Sequence, residues 1–260
     1  MELLTIGIAA LLTAGLTFFS GFGLGTILMP VFALFFPVPL AIAATAVVHF
    51  ANNIFKFGLM AKQADWRVVA RFSVPAAIAA MVGASLLNLF DQMPVVASYA
   101  LGGSKFEVTV VKAVIGVLIM AFALLELSAR SQALVFPPRW LPLGGMLSGF
   151  FGGLSGNQGA LRSAFLLKAG LSKDAFVATG VVSAVIVDAA RLTVYGTGFI
   201  AGHLAQSRAL LAPVVVGTLC AFVGSFAGKR VLRKVTLRTV QIAVAAAMLL
   251  IGLGLVVGIV

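Results

Sequence analysis

Long apolar runs dominate the chain, and Gly, Pro and charged positions cut them into eight blocks: 3–36, 38–60, 68–90, 108–128, 141–168, 172–199, 206–228 and 238–260. Six of these have the length of one tilted membrane span. The blocks 3–36 and 141–168 do not, because 34 helical residues would reach about 50 Å across a hydrocarbon core of roughly 30 Å. Each long block carries a small-residue patch, Ser20-Gly21-Phe22-Gly23-Leu24-Gly25 in the first and Ser155-Gly156-Asn157-Gln158-Gly159 in the second. The pattern predicts a broken helix at both places.

The two patches are related by position. Ser20-Gly21 and Ser155-Gly156 lie 135 positions apart, a shift of 134 carries Ala44-Thr45 onto Ala178-Thr179, and a shift of 135 pairs Asn53 with Asp188 and Lys56 with Arg191. A common spacing in a common order points to an internal duplication, with halves at 1–128 and 129–260. Scattered glycines such as Gly83 and Gly252 are read instead as positions of close helix packing.

Loop charge then orients the halves. The connection 61–71 carries Lys62, Arg67 and Arg71, while its counterpart around 200–208 has only His203 and Arg208. The connection 229–238 carries Lys229, Arg230, Arg233, Lys234 and Arg238, whereas its counterpart 91–106 has Lys105 and Asp91. Basic loops stay in the cytoplasm, so 61–71, 129–140, 168–174 and 229–238 are expected there. Equivalent loops then fall on opposite sides, which is an inverted repeat. Block 141–168 must enter and leave from the cytoplasm, and 3–36 from outside, each as a hairpin. Both termini are expected to be extracytoplasmic, and the two patches are expected to face each other.

Composition supports lipid as the solvent. Of 260 residues 62% are hydrophobic and 10% charged, with mean hydropathy +1.16; a water-facing domain carries about 25% charged residues. The fold class expected is all-α, polytopic, in the inner (plasma) membrane. Residues 1–21 lack a basic n-region and are read as a retained segment, not a secretory signal. The net charge of +11 sits in short loops, so it sets orientation and does not call for nucleic acid. One cysteine, Cys220, excludes an internal disulfide. There is no Cys/His cluster with metal-ligand spacing, no Walker-type phosphate loop and no pair of nearby carboxylates; Glu126 and the loop acids are placed near span ends. An enzyme is not expected, nor any cofactor. A homodimer is left open.

Ionisable groups inside a span cost about 2.5–3.5 kcal/mol on insertion scales and so need a partner or a role. The candidates are His49, Asn52, Asn53 and Lys56 in one span, Asp188, Arg191 and Tyr195 in another, and Asn157, Gln158 and Arg162 at the second break. Three-and-four spacing puts each span's set on one helical face. Arg162 falls in the first turns after Gly159, beside the positive end of a helix dipole. Amide N–H groups and a guanidinium converging there suit an anion. Substrate-binding roles are therefore expected for Arg162, Arg191, Asn53, Asn157, Gln158, Ser20, Gly21, Ser155 and Gly156, and coupling or gating roles for Asp188, His49, Lys56 and Tyr195. Blander readings stay open: Arg191 neutralised by Asp188, Lys56 snorkelling to the interface, and His49 as a hydrogen-bonded interior residue.

Ser20-Gly-Phe-Gly-Leu-Gly25 followed by Pro30, Ser148-Gly-Phe-Phe-Gly-Gly-Leu-Ser-Gly156 and the Ala-Thr pair before each polar stripe together resemble the sulfite exporter TauE/SafE family of permeases. The resemblance covers nearly the whole chain. It departs at Gly156-Asn-Gln-Gly159 and Arg162, where many members run through consecutive glycines. It implies transport of a small sulfur-containing anion such as sulfite, thiosulfate or a sulfonate. Two other readings are a carrier of a cationic or neutral solute using Asp188, and a non-transporting membrane scaffold.

Overall fold

The structure is a computed structural model that describes residues 1–20, 24–128, 136–200, 208–231 and 237–260. Its helices are α1 (Glu2–Ser20), α2 (Leu24–Ala33), α3 (Val38–Met60), α4 (Trp66–Asp91), α5 (Val110–Leu127), α6 (Leu141–Ser155), α7 (Gly159–Leu166), α8 (Lys173–Tyr195), α9 (Leu211–Val231) and α10 (Leu237–Val256). These follow the apolar blocks closely. Among the described residues four stretches are long and apolar enough to cross a membrane: Val38–Gln63, Trp66–Asp91, Val110–Leu127 and Lys173–Gly198.

Polar caps fix where the spans begin. Asp65 accepts from the Arg67 and Val68 amides at 2.9 and 3.0 Å at the head of α4. Ser172 does the same for Ala175 at 3.3 Å ahead of α8. Each satisfies N–H groups that a first turn leaves without a partner.

Helix packing depends on small residues. The inner face of α4 is Ser73, Ala76, Ala80, Gly83 and Ala84, whereas Val74, Ile78 and Val82 face outward and are more than half exposed. That polarity, small inside and large apolar outside, is what lipid surroundings permit. Gly145, Gly149 and Gly153 of α6 lie on the carbonyls of Phe72, Ala76 and Ala80, so close that no Cβ fits. The constant offset of those pairs makes α4 and α6 parallel. In the same way α1 runs parallel to α9, with Gly7 against Val216 and Cys220 and Gly224 on the Leu11 carbonyl.

The remaining neighbours follow a matching rule. Ser73 bonds Ser183 at 2.9 Å and Gly198 meets Asn88, which sets α4 parallel to α8. Asn52 accepts from Ser225 at 2.8 Å and Val48 meets Gly217, which sets α3 parallel to α9. By contrast α3 and α8 are antiparallel, since His49 within α3 meets Asp188 while Asp65, just beyond its end, meets Thr179, and so are α5 and α10, which meet at Gly116–Gly252.

One element departs from the all-α expectation. The connection 91–106 holds an antiparallel hairpin, β1 (Val95–Leu101) and β2 (Ser104–Thr109). Gly102 and Gly103 turn it with φ of +59° and +83°, the left-handed pair that a tight hairpin needs. The strands are exposed, and Tyr99 stacks on Phe106 across them.

Candidate functional site

The second break is a tight hairpin at the centre of the helices. α6 ends at Ser155 and Gly156 takes φ +81°, a left-handed cap that glycine adopts without strain. Its amide closes on the Gly152 carbonyl at 3.0 Å. The chain then folds back: Gly152 lies against Gln158 and Gly144 against the Phe165 ring, so α7 runs antiparallel to α6. Ser148 clasps the turn by donating to the Gln158 carbonyl at 2.9 Å. Gly25, the last residue of the first patch, sits against this turn, where a Cβ would lie 3.3 Å from the Gly156 carbonyl oxygen and 3.8 Å from the His49 ring. The two patches thus meet through Gly25 and Gly156.

Asp188 is the hub. It is fully buried, and its Oδ1 accepts from Gln158 Nε2 at 2.9 Å, Arg191 Nε at 3.0 Å and Arg191 Nη2 at 2.7 Å. Its Oδ2 lies 2.6 Å from His49 Nδ1. Donors from α3, α8 and the α6–α7 turn therefore converge on one carboxylate. A buried carboxylate is tolerable only with such saturation.

Arg191 is spent as fully. Its third contact runs from Nη1 to the Gly152 carbonyl at 2.9 Å, and the Tyr195 hydroxyl donates to the neighbouring Gly153 carbonyl. One turn of α8 thereby satisfies the last-turn carbonyls of α6, at the end where a helix dipole favours a cation.

The other predicted residues cluster here too. Asn53 Nδ2 donates to the His49 carbonyl at 2.9 Å and lies 3.0 and 3.3 Å from the two ring nitrogens. Arg162, 4% exposed, donates from Nη1 to Gln158 Oε1 at 3.3 Å. Lys56 lies within electrostatic reach of Arg162 and is 7% exposed, so it is buried and does not snorkel to the interface. Asn157 Nδ2 donates to Ser155 Oγ at 3.3 Å, and that hydroxyl donates back to the Phe151 carbonyl at 3.0 Å. Both therefore serve the turn. Ser20 closes α1, but its side chain and Gly21 lie outside the described residues.

Sequence reasoning missed several participants. The carbonyls of Gly152 and Gly153 carry no side-chain signal. Asn52 was visible on its span, but its partner Ser225 was not. Glu126 lies in the last turn of α5, at a span end as expected, and is buried there.

Taken together, apolar helices with apolar exteriors around a buried, charged and hydrogen-bonded centre define a helical membrane protein. The family model for the sulfite exporter TauE/SafE matches residues 6–255. The chain belongs to that family, which is one of membrane transporters and not of enzymes. No curated protein and no solved structure matches it.

Proposed function

We propose that the protein is a secondary permease for a small oxyanion, a sulfur oxyanion or organosulfonate such as sulfite, thiosulfate or sulfoacetate, bound where Gly25 of the first patch meets Gly156 of the second. The observation that carries this is the charge count at the hairpin. Three buried cationic side chains gather here: Arg191 on Asp188, Arg162 on Gln158, and Lys56 within electrostatic reach of Arg162. A buried cluster in which cationic groups predominate favours an anion over a cation as its ligand. Arg162 supplies a fork that matches planar or tetrahedral oxygens, and Gln158 holds that fork in place.

The anion crosses by rocking of two inverted halves, 1–128 and 129–260. Support comes from the packing directions. Elements of equal rank in the two halves, α3 with α8 and α5 with α10, are antiparallel, while α4 on α6 has its counterpart in α9 on α1, and α4 on α8 in α9 on α3. An in-plane twofold relation produces that set of directions. The cationic-solute reading is less well supported, because the Asp188 oxygens already take donors from His49, Gln158 and Arg191.

The test is flux in proteoliposomes of purified protein, read both as charge movement and as radiolabel uptake. The panel is sulfite, thiosulfate, sulfoacetate and carboxylates, with sulfate, chloride and amines as contrasts. One anion class is expected to move, and its flux to be lost in Arg162→Ala. Flux that Arg162→Ala leaves unchanged would remove Arg162 from the site. Amine flux lost in Asp188→Asn would replace the anion reading.

A further inference from the structure

Arg191 presents a difficulty for any anion that is to use it. Its Nε and Nη2 grip Asp188 Oδ1, and its Nη1 holds the Gly152 carbonyl. The planar fork suited to a cargo oxyanion already holds a carboxylate, one that belongs to the protein. The same carboxylate has a second holder, His49, at 2.6 Å on its other oxygen. Asp188 therefore stands between two cationic or potentially cationic groups, with one oxygen on each.

The histidine can change its grip. An ionised carboxylate only accepts hydrogen bonds, so the proton between Nδ1 and Oδ2 belongs to Nδ1. That leaves Nε2 with its lone pair, 3.3 Å from the Asn53 amide nitrogen. A proton added at Nε2 turns the ring into an imidazolium, and its bond to Asp188 becomes charge-assisted on both sides. The His49 side chain is 12% exposed, in contrast to 0% for Asp188, so it is the member of the pair that a proton can reach. The charged groups around the pair are Arg191 on α8 and Arg162 on α7, with Lys56 on α3 beyond Arg162 and Tyr195 a turn beyond Arg191. All but the tyrosine are cations, so a proton alone adds a like charge to the cluster, whereas a proton arriving with an anion does not.

We infer that Asp188 is a tethered occupant of the anion site: in the empty carrier its carboxylate fills the Arg191 fork, and cargo takes that fork as the carboxylate shifts onto a protonated His49, so that one proton travels with each anion. This rests on the anion-permease reading above and extends it to coupling. The step balances. The anion replaces the Asp188 carboxylate on Arg191, the incoming proton sits on His49 Nε2, and both leave together on the far side as the carboxylate returns. A closed resting state follows, since the empty site is filled by its own carboxylate and does not leak small anions.

The tethered occupant makes a prediction opposite in sign to a purely structural ion pair. Asp188→Asn removes the competing charge and keeps an oxygen acceptor. Calorimetric titration with thiosulfate, sulfoacetate and sulfite is expected to show binding about tenfold tighter than wild type, within the usual range of coupling between linked sites. If Asp188→Asn binds the anion more weakly, as loss of an Arg191-positioning group would dictate, the inference is overturned. Wild-type protein decides the matter even if that variant does not fold. In proteoliposomes loaded with a pH-sensitive dye, uptake of whichever probe is carried is expected to acidify the lumen in step, above a protein-free blank. An inward proton gradient is expected to accelerate it, and in His49→Gln any remaining flux is expected to ignore the gradient. Anion flux without acidification overturns the coupling while leaving the permease reading intact. Neither flux nor binding of any probe overturns both.

Discussion

Gly116 and Gly252 face each other across α5 and α10 with no room for a side chain on either. A Cβ on Gly116 would lie 2.6 Å from the Gly252 carbonyl oxygen, and one on Gly252 would lie 2.9 Å from that of Gly116. The contact is mutual, between residues 136 positions apart, close to the spacing that relates the two patches.

Adding bulk there drives the two helices apart. Gly116→Leu or Gly252→Leu is expected to cost about 1–3 kcal/mol, the usual penalty of overpacking, seen as a lower Tm in detergent. Gly58→Ala is the matched control. A Cβ at Gly58 meets nothing within 4 Å, so the change is expected to be neutral or to gain about 0.5–1 kcal/mol from helix propensity.

Ser73 and Ser183 tie α4 to α8 with a buried bond of 2.9 Å. Each single Ser→Ala change is expected to cost about 1 kcal/mol, because it leaves the partner hydroxyl short of a contact. The double variant is expected to cost less than the sum, and a double-mutant cycle in chemical denaturation measures the difference. Strict additivity would mean that the two hydroxyls do not act as a pair.

Arg162 can be tested more finely than by deletion. Arg162→Lys keeps the charge and loses the planar fork. Losing one charge-assisted hydrogen bond to the cargo costs about 1.5 kcal/mol, so the KM for the transported anion is expected to rise roughly tenfold while kcat changes less. Transport assays over a concentration series read the two constants separately. Wild-type kinetics in Arg162→Lys would mean that charge alone matters there.

The topology has a direct readout. Lys62 and Lys105 are both exposed, one after α3 and the other on β2. In a Cys220→Ala background, Lys105→Cys is expected to react with an impermeant maleimide in intact cells, and Lys62→Cys only after permeabilisation. The reverse result would invert the orientation deduced from loop charge.

Much of this architecture was legible in the residues because the bilayer enforces it. A span needs a set length of apolar chain, and its breaks need glycine, so the blocks 38–60 and 141–168 reappear as α3 and as the α6–α7 hairpin. Polar stripes at helical spacing correctly set His49, Asn53 and Lys56 on one element and Asp188, Arg191 and Tyr195 on another. What spacing cannot give is the partner across space. His49 reaches Asp188 over 139 positions, and Asn52 reaches Ser225 over 173, distances at which no local periodicity speaks. Lys56 shows the same limit: nearness to a loop in sequence allowed snorkelling, whereas packing buries it. The hairpin was missed for a different reason. Its signal, Gly102-Gly103 between β-prone residues, is short and lies in a segment read only for charge.

The parallel pairing of α1 with α9 has a consequence for how the protein is made. Synthesis delivers α1 long before Gly224, the glycine that receives it, more than 200 positions further on. Throughout most of translation α1 sits in the bilayer with its small-residue face uncovered, and α4 waits likewise for α6. A ribosome that stalls before residue 211 leaves a product in which α1 has α2 but lacks α9, so its small-residue face marks the chain as unfinished.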